Sequence, residues 1–220
     1  LFQKDLRQLL RVIIWMALPV SVITFFTRGY VVHFIRNTGD PMMAGILGCL
    51  VVAILFRTIY HMAARAFYAQ QDTKTPLNIS FAAIGLNVVL AIVLSMVLKM
   101  GAYGLAWAQS TVAVIEVVIL FVVLEKRIPH LFDASFVAAV LRMIVASTVA
   151  GIVCYLMLQV LPFRESDSSF FSAFPKFMII AGVSFLAYGV MSRMLKLPEV
   201  EPIIRQVNKF LFVRLDGKRR

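Results

Sequence analysis

An all-α, polytopic transmembrane helical bundle is the fold class the sequence predicts, and three observations predict it. Hydrophobic residues fill 61% of the 220 positions and charged residues 15%, against about 45–50% and about 25% in soluble domains. The mean hydropathy is +0.89. Apolar stretches recur at about 20 residues, the length that a hydrocarbon core about 30 Å thick demands of a helix. They are continuous, without the alternation of transmembrane strands, so the helix is the only spanning form left.

Six spans are expected, at about 12–36, 42–64, 77–98, 102–124, 136–161 and 171–192. In the first, Pro19 lies well inside the helix and predicts a kink. The second follows Asp40-Pro41, a capping side chain before a proline at the first helical position. Thr75-Pro76 repeats that pattern and is expected to start the third, which carries no charge from Leu77 to Leu98. Lys99-Met100-Gly101 leaves hardly any loop, so the third and fourth spans should form an antiparallel hairpin. The fifth is uncharged from Met143 to Phe163, and Ala146, Ser147, Ala150 and Gly151 give it small-residue spacings that admit a close neighbour, most simply the sixth span. A serine-rich connector, Pro162 to Ser169, separates these two. Beyond Met191, Ile203, Ile204, Val207 and Leu211 alternate with Arg205, Gln206, Asn208 and Lys209, which describes a C-terminal amphipathic interfacial helix. That tail reads as a membrane anchor or as a docking point for a partner protein.

The net charge of +11 raises nucleic acid as a partner, and its distribution excludes it. If the first span starts in the cytoplasm, about 15 Lys and Arg fall on the inner side, among them Lys4, Arg7, Arg11, Arg65, Lys74, Lys126, Arg127, Arg193 and the terminal Lys218-Arg219-Arg220. About five fall outside: Arg28, Arg36, Lys99, Arg164 and Lys176. This is the positive-inside asymmetry, with both termini cytoplasmic and contact with anionic lipids accounting for the basic excess. No cleavable signal peptide is visible, and the start at Leu1 leads to the expectation of a C-terminal part of something longer. Cys49 and Cys154 lie within spans, with neither disulfide nor metal spacing.

The run Arg65-Ala-Phe67-Tyr68-Ala-Gln-Gln-Asp72-Thr73-Lys74-Thr75-Pro76 is a polar connector between two spans. It resembles the loop after the tenth helix of the MurJ (MviN-type) lipid II flippases, a branch of the multidrug/oligosaccharidyl-lipid/polysaccharide exporter superfamily. Leu18-Pro19 inside the first span, a turn near Gly39 and the Gly101-Ala-Tyr-Gly104 entry to the fourth span are similar too. By this resemblance the chain corresponds to the ninth to fourteenth of fourteen helices, and a ninth helix begins in the cytoplasm, as the charges require. The resemblance implies transport of a lipid-linked peptidoglycan precursor, lipid II, to the outer leaflet of the bacterial cytoplasmic membrane by alternating access between two lobes. Residues 1–128 would then form part of the second lobe, 129–196 an appended helix pair bordering a groove for the lipid tail, and 197–220 a basic cytoplasmic tail. The first lobe would be a necessary partner, and the docking reading of the tail would point to cell-wall synthesis proteins.

Polar groups at depth are the candidate site. Arg57, near the middle of the second span, costs roughly 2.5–3.5 kcal/mol on insertion scales unless it faces protein or a watery cavity. His61 is one turn on, on the same face. The pair either presents positive charge to a lipid-carrier pyrophosphate, or Arg57 pairs with Glu116 or helix carbonyls as packing. Glu116, the acid of the fourth span, is read as a coupling group, as that partner, or as an interfacial residue. Asn87 matches a position that contributes to a sodium site in some members of the family. The companion positions hold Ala91 and Gln109, so sodium coupling is not expected and Asn87 reads as an interhelical hydrogen-bonding residue. Arg142 reads as a side chain reaching back to the interface.

Catalysis is excluded as a reading: the sequence shows no paired carboxylates, nucleophile motif, glycine-rich phosphate loop or metal spacing, and no cofactor or metal is expected. A lipid II flippase part therefore stands against two alternatives, an exporter of another lipid-linked oligosaccharide or small molecule and a non-transporting membrane scaffold.

Overall fold

A computed structural model describes residues 2–36, 40–129, 131–161, 170–197 and 199. Every regular element among them is helical: α1 (Phe2–Phe26), α2 (Arg28–Arg36), α3 (Pro41–Ala69), α4 (Lys74–Ile92) running on into a π turn (Val93–Val97), α5 (Ala102–Arg127), α6 (Ala134–Val160) and α7 (Phe170–Met194). Six of these stretches are long and apolar enough to cross a membrane: Gln3–Phe26, Pro41–Ala69, Lys74–Val97, Ala102–Arg127, Ala134–Val160 and Ala173–Met194. The expected connectors at Gly39 and Pro162–Ser169 and the amphipathic tail around Ile203–Leu211 lie outside the described residues.

The first span differs from the expected 12–36. It starts nine residues earlier, at Gln3, and stops at Phe26, where Thr27 separates it from the short α2. Two of the early charges, Arg7 and Arg11, find partners on α6 or its cap, and Lys4 and Asp5 are exposed. Arg7 pairs with Asp133 at 2.7 Å and Arg11 donates to the Ser135 hydroxyl at 2.9 Å, while Gln3 donates to the Pro129 carbonyl at 3.0 Å. α1 continues through Pro19 as one helix.

These contacts set α1 beside the start of α6, and Tyr30 donates to the Leu161 carbonyl at 2.9 Å beyond the other ends of α1 and α6. Both helices therefore run in the same direction, as the first and fifth of six alternating crossings must. Gly151 of α6 faces α1 so closely that a Cβ would come within 2.9 Å of Val22 and 3.0 Å of Phe26. The small-residue stripe thus admits α1 at Gly151, while the expected sixth span, α7, packs on α6 as well and reaches Ser147 of the stripe through Tyr188.

The main core lies toward the end of the bundle that carries the α1 start and joins Leu10, Phe67, Leu120, Met143 and Tyr188 from five helices. A smaller cluster at the opposite end gathers Ile23, Tyr30, Cys154 and Ile180, with Phe34 and Phe177 packed edge to face at 5.4 Å. Trp15 ties α7 to α1: its Nε1 donates to the Ser192 hydroxyl at 3.2 Å, and Tyr188 donates to its carbonyl at 2.8 Å. α4 packs on α5 and turns Leu77, Phe81, Ile84 and Val88 outward. An exposed apolar face is no penalty in hydrocarbon, since lipid tails are as apolar as leucine.

The hairpin of α4 and α5 closes as expected. Met100 and Gly101 N–H groups reach back to the Leu94 and Ser95 carbonyls at 3.2 and 3.3 Å. Gly104 is required just beyond, because a Cβ there would lie 2.6 Å from the backbone carbon of Leu94.

Candidate functional site

The connector from Arg65 to Pro76 is mostly helix. α3 runs on to Ala69, so Arg65, Phe67 and Tyr68 belong to its last turns, and α4 begins at Lys74. Only Gln70 to Thr73 turn. Gln71 takes a left-handed backbone (φ 59°). The Asp72 N–H reaches the Phe67 carbonyl and the Gln71 N–H the Tyr68 carbonyl, both at 3.0 Å, which is the six-to-one and five-to-two pattern of a Schellman helix end.

Asp72 then caps α4. Its carboxylate accepts from the Lys74 and Thr75 N–H groups at 3.0 and 3.1 Å and from the Thr75 hydroxyl at 2.6 Å. Thr75-Pro76 does not cap the helix as expected: Thr73 holds the cap position without a side-chain bond, and Pro76 sits inside the first turn, where its missing N–H costs no hydrogen bond. Arg127, in the last turn of α5, pairs with Asp72 at 2.5 Å, donates to the Thr75 hydroxyl at 2.9 Å and lies over the buried Phe67 ring at 5.2 Å. Hydrogen bonds from Thr75, with Arg127 adding to them, hold the Asp72 carboxyl down at about 2. Asp133, which caps α6, is likewise lowered, chiefly by the Ser135 hydroxyl and then by the Phe136 N–H, Arg7 and Arg11.

One turn and two turns before Arg65 stand His61 and Arg57. All three are exposed on one face of α3, stepping about 6 Å along the axis from each to the next. Arg57 is not paired with Glu116, which corrects that alternative. It meets Gln109 of α5. A guanidinium has only donors, so the amide beside it must present oxygen. In that orientation the Gln109 oxygen accepts from Arg57 Nη2 at 2.6 Å and Nε at 3.3 Å, and the Gln109 nitrogen lies 2.5 Å from Asn87 Nδ2, so the Asn87 amide must turn as well and present its oxygen. The opposite orientation, with Asn87 Nδ2 donating to Gln109 Oε1 at 2.5 Å, would leave the guanidinium facing an amide nitrogen. Asn87 is therefore the interhelical hydrogen-bonding residue expected, with Arg57 added to the chain.

Glu116 is buried, 5% exposed, and accepts from the Ser80 hydroxyl at 3.0 Å; Ser80 in turn shares a 2.6 Å hydrogen bond with Tyr60. Its hydrogen bond goes to Ser80 and not to Arg57. Arg142 is exposed near the start of α6. Among the described residues no three His, Cys, Asp or Glu side chains gather into a metal-holding group.

A groove of about 600 Å³ opens between α1, α3 and α6, lined by Val22, Phe25, Val51, Leu55, Gly151 and Tyr155 among others. Its walls come from three segments far apart in sequence, so linear reading gave no signal for it. The staple formed by Arg127 was also missed, for the same reason.

The architecture defines a polytopic helical membrane protein with a cationic, amide-braced face at mid-span. The family model described as "Lipid II flippase MurJ" matches residues 1–191. The chain is also similar to proteins named "Probable lipid II flippase MurJ" from Thermotoga maritima, 24% identical over 93% of this chain and 40% of the relative, and from Rhizobium tropici, 24% identical over 71% of this chain and 30% of the relative. The chain belongs to the MurJ lipid II flippase family. It spans well under half the length of these curated relatives.

Proposed function

We propose that this chain is part of a flippase that moves lipid II from the inner to the outer leaflet of the bacterial cytoplasmic membrane by alternating access. The observation that carries the reading is the exposed face of α3 bearing Arg57 and His61 within a family member's membrane span. A cation that is exposed at that depth and meets only a neutral amide of its own bundle needs a watery cavity or an anionic partner, and a lipid-linked pyrophosphate is such a partner. Residues 1–128 serve as part of one lobe, with that face turned toward the other lobe across the substrate path. Residues 129–196 form the pair that borders the lipid groove, and the groove between α1, α3 and α6 is apolar enough for an isoprenoid tail. The basic ends, including the 197–220 tail, lie on the cytoplasmic side against anionic lipids. The chemistry asked of the chain is binding and release; no covalent step is involved.

The test is complementation. The full gene product, expressed in a bacterium depleted of its own lipid II flippase, should restore growth, and Arg57→Ala combined with His61→Ala should abolish the rescue at equal membrane abundance. Growth restored equally by the double variant would remove the headgroup role from this face, and no rescue by the parent would remove the lipid II reading.

A further inference from the structure

We infer that Gln109 and Asn87 are positioning residues, which fix the Arg57 guanidinium so that one bidentate edge stays open toward a phosphoryl oxyanion. The inference rests on the reading above for the identity of that anion, and on the geometry for everything else. A guanidinium offers two paired-donor edges, one made by Nε and Nη2 and the other by Nη1 and Nη2. Gln109 occupies the first, accepting from Nη2 at 2.6 Å and Nε at 3.3 Å. No described residue accepts from the second, and Arg57 is an exposed residue.

Gln109 can hold this orientation only if its nitrogen has an acceptor, and the atom 2.5 Å away is Asn87 Nδ2, so the Asn87 amide must be turned end for end. With the Asn87 oxygen turned to it, the chain runs one way: Arg57 donates to Gln109, and Gln109 donates to Asn87. Three helices, α3, α5 and α4, thereby set one side chain. The amides are neutral, so they orient the cation without cancelling it. A carboxylate in place of Gln109 would do both. The open edge matches two oxygens of a phosphoryl group, the fork-to-fork geometry that favours arginine over lysine.

That distinction supplies the test. The full gene product in nanodiscs is titrated with farnesyl pyrophosphate and, in parallel, with farnesol, and its thermal midpoint is measured for each variant. The parent should bind the pyrophosphate in preference to the alcohol. Gln109→Glu should weaken pyrophosphate binding about tenfold or more while the thermal midpoint holds or rises, because an ion pair replaces the hydrogen bond. Arg57→Lys should lose a similar factor, and Asn87→Ala about threefold.

A merely structural bridge predicts the same intact stability for Gln109→Glu and the opposite for binding, which would stay intact. Binding by Gln109→Glu as tight as the parent overturns the inference, as does a parent that does not prefer pyrophosphate over alcohol. Failure of the flippase reading shows up separately, as a parent that binds the pyrophosphate lipid and does not rescue growth.

Discussion

Two polar clusters, one at the middle of α3 and one about three turns on at the α3–α4 turn, use their arginines in opposite ways. At the α3–α4 turn, Arg127 is committed to Asp72, Thr75 and the Phe67 ring, so its charge is neutralised. At mid-span, Arg57 is braced by neutral amides and keeps one donor edge open. The first cluster closes a fold and the second leaves a cation available. The recognisable stretch of sequence, Arg65 to Pro76, belongs to the closed cluster: it ends one helix, starts the next and ties both to a third. A turn that must hold a left-handed Gln71, a buried Phe67 and a capping Asp72 in succession constrains nearly every position, whereas an open site constrains few.

Charge reversal separates the two clusters most sharply. Arg57→Glu should abolish growth rescue in the flippase-depleted strain while the protein accumulates normally, since the exposed face tolerates either sign. Arg127→Glu sets two acids against each other at the α3–α4 turn and should lower the amount of folded protein, measured by fluorescence-detected size-exclusion chromatography. Equal loss of folded protein in both variants would erase the distinction between a site and a staple.

A milder version tests the staple alone. Arg127→Ala removes an ion pair, a hydrogen bond and a ring contact, all partly exposed, and solvent screening limits their joint worth to about 1 kcal/mol. The thermal midpoint should fall by roughly 2–4 °C. Arg57→Ala should move it less, because its partner is a neutral amide on a half-buried face. A larger drop for Arg57→Ala would make the mid-span chain the structural one.

Much of this was legible in the sequence, and the reasons are physical. Long uncharged runs cannot be anything except spans, so six were visible. The pairs Asn87–Gln109 and Ser80–Glu116 lie equidistant from Leu98, 11 residues on either side in one case and 18 in the other. An antiparallel hairpin turning near Leu98 brings such positions opposite one another, so these bonds were in principle readable. Arg57 meeting Gln109 was not, because nothing in the spacing of α3 and α5 sets their relative rotation. The start of α1 was misplaced for a related reason: Arg7 and Arg11 are satisfied by Asp133 and Ser135, about 125 positions away.

The turn itself offers a smaller gain. Gln71 holds φ at 59°, a region that costs a side chain about 1 kcal/mol and glycine nearly nothing. Gln71→Gly should stabilise the protein by about 0.5 kcal/mol, after the greater freedom of glycine in the unfolded chain is subtracted. A midpoint shift of about 1–2 °C upward, with growth rescue unchanged, is the expected result. A loss of rescue would mean that the Gln71 side chain contributes beyond its backbone.

Acid titration gives the finest contrast between the clusters. The Asp72 carboxyl is lowered from 3.8 to about 2 in the folded chain, first by the Thr75 hydroxyl and N–H and then by Arg127. A carboxyl with a depressed folded value adds stability that is complete above its unfolded value and fades as pH falls through the folded one. The gap in thermal midpoint between the parent and Asp72→Asn should therefore be constant from pH 7 to about pH 5, shrink below pH 4 and close near pH 2. The mid-span chain of Arg57, Gln109 and Asn87 contains no carboxylate, so the gap between the parent and Gln109→Leu should keep its size throughout. If the Asp72 gap also stays level down to pH 2.5, the ionised carboxylate is not what holds the turn, and Arg127 packs there mainly through the Phe67 ring.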